Sequence, residues 1–298
     1  MTTLPAGLSI RPATAADLPA VNDIFYQSEI AGAASLPPVQ TLTIPEHVLA
    51  TGAMYIAELA GAVVGYSGSI ARGDVVYLTD LFVRPQQQST HVGRMLLRQV
   101  LPCDGRILCT VASTDPRALS RYVREGMRPR LPVLFLRGDV PALGPLPAND
   151  VTIVEAAPDD PAFAAWDAEI GGRPRPQELA FWRRAHRAVI AWFQRGGATI
   201  GYGVFHQRSG GSLWTPDAIT LGPIGVRDER DAAVCILAAV AWARARNDIV
   251  RLTLIGPHPA LAPLLDAHFR LVEVETFCCS SAPFFDPARY LPSGGDLL

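Results

Sequence analysis

Lysine is missing altogether from this chain of 298 residues, so all 26 of its basic side chains are arginine. That excludes lysine Schiff-base chemistry and leaves the protein no lysine amine of its own to modify. The 26 cations nearly balance 28 acidic residues, and a net charge of −2 provides no global field that would gather nucleic acid. Cysteine is sparse. The five present (Cys103, Cys109, Cys235, Cys278, Cys279) are odd in number and show no Cys-x-x-Cys spacing, which argues against a disulfide framework and against a zinc site. No metal is expected. No apolar run approaches the ~20 residues needed to cross a bilayer, and residues 1–5 have neither a basic start nor an apolar signal core. A soluble, cytoplasmic protein with no membrane partner is therefore the expectation.

What is present is organised around residues 77–101. An apolar run ending Leu81-Phe82-Val83 meets Arg84-Pro85, a glutamine-rich turn follows, and Gly93 opens Arg94-Met95-Leu96-Leu97. Pro85 cannot donate to a ladder and biases Arg84 towards extended geometry, so a strand stops there. From Val92 the apolar residues recur at helical spacing (Val92, Met95, Leu96, Val100) until Pro102. A helix that begins so leaves its first N–H groups unpaired and turns its positive dipole end to the loop, which makes the turn an anion site suited to phosphate.

These residues carry a resemblance. Val83-x-Pro85 followed by Gln88-Ser89-Thr90-His91-Val92-Gly93 resembles the Gln/Arg-x-x-Gly-x-Gly/Ala pyrophosphate loop of GCN5-related N-acetyltransferases. Downstream, residues 115–127, from Asp115-Pro116-Arg117-Ala118 through Tyr122 to Gly126-Met127, resemble that family's Asn-x-x-Ala-x-x-x-Tyr-x-x-x-Gly-Phe pattern. This chain departs from the family in three places: His91 for the first glycine, Asp115 for asparagine and Met127 for phenylalanine.

The rest of the chain supplies a scaffold and then repeats it. Leu8-Ser9-Ile10-Arg11-Pro12 alternates as a strand, and Thr14 with Asp17 caps a helix carrying Val21, Ile24 and Phe25. Residues 31–44 read as a loop whose apolar members (Leu36, Val39, Leu42, Ile44) suggest either a hydrophobic or aromatic acceptor wall or ordinary packing. Strands over 54–58, 63–70 and 75–83 form an antiparallel meander that delivers the chain to the turn. A buried parallel strand follows at 106–111, then a helix with Pro116 at its start and Tyr122 within it. Residues 138–150 are rich in proline and glycine without periodicity and read as a linker. Beyond it the pattern recurs: Val226-Arg227 matches Val83-Arg84, and His258-Pro259-Ala260-Leu261 matches Asp115-Pro116-Arg117-Ala118. The second copy has no glycine over 231–236, places Glu229 and Asp231 against any incoming phosphate, and has Leu265 where Tyr122 would be. All five tryptophans fall in that copy, as pocket, interface or core. Gly201-Tyr202-Gly203 is not a dinucleotide fingerprint.

The fold class expected is thus α/β with a mixed sheet, in two tandem acyltransferase-like domains, residues 1–140 and a degenerate copy over 150–298. The resemblance implies an acetyl-CoA-dependent N-acyltransferase working by direct attack in a ternary complex. It implies Tyr122 as the acid for the departing thiolate and Asp80 as the leading base, with Glu29, Glu46 and Glu58 as substitutes. It implies that the strand residues Leu81, Phe82 and Val83 hold the pantetheine arm, chiefly through the amides of Phe82 and Val83. Gln88, Ser89, Thr90, His91, Val92, Gly93 and Arg94 would then cradle the pyrophosphate, and Asp115 completes the cofactor set. A small-molecule amine, an antibiotic, a polyamine and a peptide N-terminus all fit as acceptor, and a homodimer is compatible with it. Two other classes stay open: a non-catalytic acyl-CoA binder, and a tandem aminoacyl transferase, against which the balanced charge argues.

Overall fold

Leu8 and Ile10 face one way and Ser9 and Arg11 the other, and this alternation forms strand β1 (Leu8–Pro12). The next turn is fixed by charge. The Thr14 amide donates to Asp17 at 2.8 Å, and Arg11 pairs with the same carboxylate at 2.8 Å. Helix α1 (Leu18–Glu29) follows with Val21 and Ile24 buried, then α2 (Thr43–Thr51), β2 (Ala53–Leu59), β3 (Ala62–Arg72) and β4 (Val75–Val83). The computed structural model describes residues 7–31, 33–37, 42–88, 90–208, 213–295 and 297–298. Val39 and Ser89 lie outside them.

The described residues divide into two compact units. The first runs to Thr110 and includes Leu213 and Trp214; the second holds the remainder from Val111. The division precedes the proline- and glycine-rich stretch 138–150.

In the first unit β1, β2, β3 and β4 form an antiparallel meander, and β5 (Ile107–Ala112) lies parallel to β4. Between β4 and β5 runs α3 (Val92–Val100). Its Val92, Leu96, Leu97 and Val100 are buried, and Val92 and Leu96 pack with Ala57 and Val64 beside Leu81 and Val83. Burial of such a side chain contributes roughly 1.5–3 kcal/mol, enough to fix the helix over the strand that precedes it.

The second unit contains α4 (Pro116–Arg124), β6 (Arg128–Asp139), β7 (Thr152–Glu155), α5 (Pro161–Ile170), α6 (Pro176–Ala185), β8 (Val189–Arg195), β9 (Ala198–His206), β10 (Ile219–Val226), α7 (Ala232–Arg244), β11 (Ile249–Ile255), α8 (Leu261–Asp266), β12 (Arg270–Cys279) and β13 (Tyr290–Leu291). Its sheet runs β12-β6-β11-β10-β9-β8-β7, with β13 added on β10. From β7 to β12 the order of helices and strands repeats that from β1 to β6, element for element. The core gathers around α7, whose Cys235, Ile236, Ala239, Val240 and Ala243 are buried with Phe193, Phe205 and Leu252. Trp182 is buried, whereas Trp214 is half exposed and belongs to the first unit. Cys278 and Cys279 are both buried, although neighbours in a strand point to opposite faces. The register against β6 shifts there through an extra residue of β6, Arg130, so β12 keeps its alternation and is covered on both faces at its end.

Candidate active site

Strand β4 departs from regularity at the point where the sequence places its chemistry. Asp80 pairs with Gly68 and Leu78 with Ser69, so Thr79 is the extra residue of a bulge. On the other edge the parallel pairing with β5 covers only Val75–Tyr77, and β4 then continues alone to Val83. Thr110 ends the paired stretch by donating its hydroxyl to the Leu78 carbonyl at 2.9 Å.

Which amides face the open edge follows from alternation. The Arg84 N–H donates to the Val64 carbonyl of β3 at 2.8 Å. Bonding groups in an antiparallel pair alternate sides, so Phe82 also points its amide to β3, while Leu81 and Val83 point theirs away. The two donors on the open edge are therefore those of Leu81 and Val83, rather than the adjacent pair Phe82 and Val83. Phe82 contributes its ring on the opposite face, 5.3 Å from Phe25 and stacked 5.6 Å from Tyr66. The Gln88 side-chain amide donates to the Val83 carbonyl at 3.3 Å and ties the turn to this edge.

At the turn, His91 takes the left-handed conformation, φ 69° and ψ −4°. Glycine adopts that conformation without strain, so the histidine keeps the backbone shape that the glycine of the resembled loop would have. The His91 carbonyl receives both Arg94 N and Met95 N at 3.1 Å. Val92 and Gly93 precede the first intrahelical bond, and their amides open to the turn. The Thr90 hydroxyl is bonded to the Gln87 carbonyl. Arg94 is exposed and carries no partner among the described residues, while Arg84 is committed to Asp23 at 2.6 Å and to the Val63 carbonyl at 3.1 Å.

Asp80 is buried. Tyr66 donates its hydroxyl to Asp80 Oδ1 at 3.2 Å, and Ser67 donates to the Asp80 carbonyl at 3.0 Å. Oδ2 has no hydrogen-bond partner among the described residues, and the Thr79 hydroxyl lies close by but out of bonding geometry. Burial pushes the Asp80 carboxyl above the ordinary carboxylate range. A carboxylate so placed is a stronger base than an exposed one. Of the substitutes, Glu58 is paired with Arg11 at 3.2 Å, Glu29 ends α1 in solvent, and Glu46 faces a cleft.

That cleft, about 560 Å³, lies in the first unit between α1 and α2 and is lined by Asn22, Asp23, Tyr26, Gln27, Leu42 and Glu46 among others. Asn22 Oδ1 is buried there without a partner among the described residues. Leu42 and Ile44 are buried, Leu36 is exposed, Leu18, Leu42 and Leu213 give the cleft an apolar lining, and α1 adds the polar groups of Asn22, Asp23, Tyr26 and Gln27. These residues share a helix face opposite the buried Val21 and Ile24, a signal legible as polar residues at helical spacing.

In the second unit Tyr122 is buried on α4. Asp115 caps that helix, accepting from the Arg117 amide at 2.8 Å and pairing with its guanidinium, which holds the carboxyl below its usual range. At the counterpart of the phosphate turn, α7 starts at Asp231, which pairs with Arg195 at 2.6 Å, and Asp228 accepts from the Arg230 amide. No group of three His, Cys, Asp or Glu side chains is placed to hold a metal ion, and no helix is long and apolar enough to cross a membrane, among the described residues.

Residues 20–126 match the model of the acetyltransferase (GNAT) family. A putative acetyltransferase from Pyrococcus horikoshii superposes with a TM-score of 0.75 at 16% identity, covering 99% of this chain and 98% of that one. A GCN5-related N-acetyltransferase from Sphaerobacter thermophilus gives 0.62 at 16% identity, over 96% and 98%. A tandem GNAT protein from the clavulanic acid biosynthesis pathway gives 0.58 at 18% identity, over 91% and 98%. No curated protein matches the sequence. Residues 20–126 are a GNAT acetyltransferase-family domain, and the chain as a whole has the GNAT fold.

Proposed function

We propose that the protein transfers an acetyl group from acetyl-CoA to an amine by direct attack. The observation that supports this most is the open edge of β4. The outward amides of Leu81 and Val83 run directly into the mouth of α3, where the amides of Val92 and Gly93 follow a left-handed residue. A pantetheine arm bonds to the first pair as an added strand would, and a diphosphate fits the second, as the donor chemistry of both requires. Arg94 adds an uncommitted cation at the turn. The co-substrate supplies the activated thioester.

The residues do the rest. Asp80, buried on the bulge, takes the proton that the acceptor nitrogen loses as it bonds to the thioester carbon. The carbon–sulfur bond then breaks, and we assign Tyr122 to protonate the departing thiolate. We read the acceptor class from the cleft between α1 and α2, where Glu46 and the Asn22 oxygen, which has no partner among the described residues, favour a cationic amine such as a polyamine over an aromatic one.

Calorimetry with coenzyme A, followed by a thiol-release assay with acetyl-CoA against a panel of amines, tests this reading. Saturable binding at one site and thiol release that depends on a cationic amine are expected. Absence of binding overturns the co-substrate; binding without release for any amine overturns transfer.

A further inference from the structure

The second unit repeats the strand that carries the open edge, and there the edge is filled. β10 pairs in parallel with β11 only over Ile219–Leu221, and beyond that point the two strands part, as β4 and β5 do. Into the opening comes β13. It pairs antiparallel with β10, Leu291 opposite Ile224 and Tyr290 opposite Gly225, and it also touches β11. The Val226 amide, at the position that matches Val83, donates to the Arg289 carbonyl at 3.0 Å.

The opening is built to receive this segment. Gly222 sits at φ +131°, and a Cβ there would fall 2.0 Å from the Pro292 carbonyl oxygen; at Gly172, φ +73°, it would fall 2.1 Å from that of Phe284. Both glycines make room for main chain where no side chain would fit. Tyr290, Leu291, Leu297 and Leu298 are buried. Two buried arginines close the far end. Arg173 donates to the Leu298 main-chain oxygen at 2.7 Å, Arg175 also bonds to it, and the Tyr290 hydroxyl donates to it at 3.3 Å. Arg175 is held in place by a bidentate pair with Asp167, itself bonded by Tyr202 at 2.8 Å. The guanidiniums of Arg173 and Arg175 also lie over the rings of Phe284 and Tyr290. Buried cations of this kind, with an oxygen at their focus and an apolar trough leading to it, are what an extended peptide needs for recognition.

We propose that the second unit is a peptide-binding cleft whose ligand is residues 283–298 of the same chain, seated as an added strand at the positions that the first unit keeps open on β4. The ligand class is an extended peptide carrying an aromatic-leucine pair, with a leucine main-chain oxygen at the two arginines. The second unit consequently takes no acyl carrier of its own.

A protease site placed after Ala282, which is exposed in the loop following β12, allows the full chain to be nicked without removing anything. The nicked protein is expected to retain the 283–298 fragment through gel filtration, and a fluorescent synthetic peptide of that sequence is expected to exchange with it. Arg173→Gln should weaken retention about tenfold, and Gly222→Val should release the fragment while the first unit keeps its coenzyme A binding. Spontaneous loss of the fragment from a chain whose melting temperature is unchanged overturns the proposal. So does retention undiminished in both variants. Because coenzyme A binding is read separately, failure here is distinguishable from failure of the acyltransfer reading.

Discussion

The two halves of this molecule solve the same geometric problem in opposite ways. In the first unit β4 leaves its neighbour after Tyr77 and exposes two main-chain donors; in the second β10 leaves its neighbour after Leu221 and receives a strand from the same chain. Charge follows the same division. The turn after β4 carries Arg94 and no carboxylate, whereas the turn after β10 carries Asp228, Glu229 and Asp231. An unpaired strand edge in a sheet is costly to leave open. A unit that keeps one open implies a ligand, and a unit that fills it from within implies that the ligand's role has been given up.

The sharpest way to break the comparison is at the proposed base and acid. Asp80→Asn should lower kcat by roughly 10²–10⁴, the range that a general base contributes, with coenzyme A affinity unchanged. It should also raise the melting temperature at neutral pH. Burial lifts the folded pKa of Asp80, so the folded state binds more protons than the unfolded state above the ordinary carboxylate value of 3.8, and stability is lost as pH rises through that window. An asparagine escapes this cost. A variant that lost activity but not the stability penalty would place Asp80 outside the role of a buried base. Tyr122→Phe should likewise lower kcat by about 10² or more while leaving binding intact; an unaltered rate would remove the phenol from the reaction.

A second contrast concerns acid. In the second unit His186 and His206 face each other with Nδ1 atoms 3.1 Å apart, and His206 Nε2 lies 2.6 Å from the Gly222 carbonyl, the residue that makes room for Pro292. Nε2 must donate to that carbonyl, so in the neutral His206 ring Nδ1 accepts from His186. Burial, with the neighbouring imidazole, pushes His206 down to about 3 from 6.5. The unfolded chain therefore takes up a proton that the fold refuses, and stability falls as pH falls from 6.5 towards 3. Thermal melts across that range should show the loss, and His206→Gln should flatten it. If the nicked chain also releases residues 283–298 in the same window, the histidine pair and the filled edge are one device.

How far the sequence exposes all this depends on the range of the interactions involved. The strand, turn and helix around Val83 are legible because their determinants are local: Pro85, the spacing of Val92 and Leu96, and the bulk of an apolar run. The degenerate turn of the second copy is legible for the same reason, since Asp228 and Asp231 are adjacent charges. Burial of Asp80 is not, because it depends on Tyr66 across the sheet and on a bulge set by register. The pairing of Leu81 and Val83 rather than Phe82 and Val83 is decided by the partner strand. The cleft face of α1 was open to inspection as a polar stripe but not as a cavity. The seating of Tyr290 against Gly225 joins residues too distant in sequence for any local pattern to reveal.

The smallest effect tests how much of the first unit's anion turn depends on its side chains. His91 holds φ 69°, a conformation that costs a residue with a Cβ about 1–2 kcal/mol relative to glycine. His91→Gly removes that cost in the fold but loosens the unfolded chain, which offsets part of the gain. A net stabilisation of about 0.5–1 kcal/mol is expected, measured by denaturant midpoint. If the main-chain amides of Val92 and Gly93 are what hold a diphosphate, coenzyme A affinity should change by less than about threefold. A larger loss would assign the imidazole itself to the phosphate, and would mean that this chain replaced the backbone strategy of the resembled loop with a side-chain one.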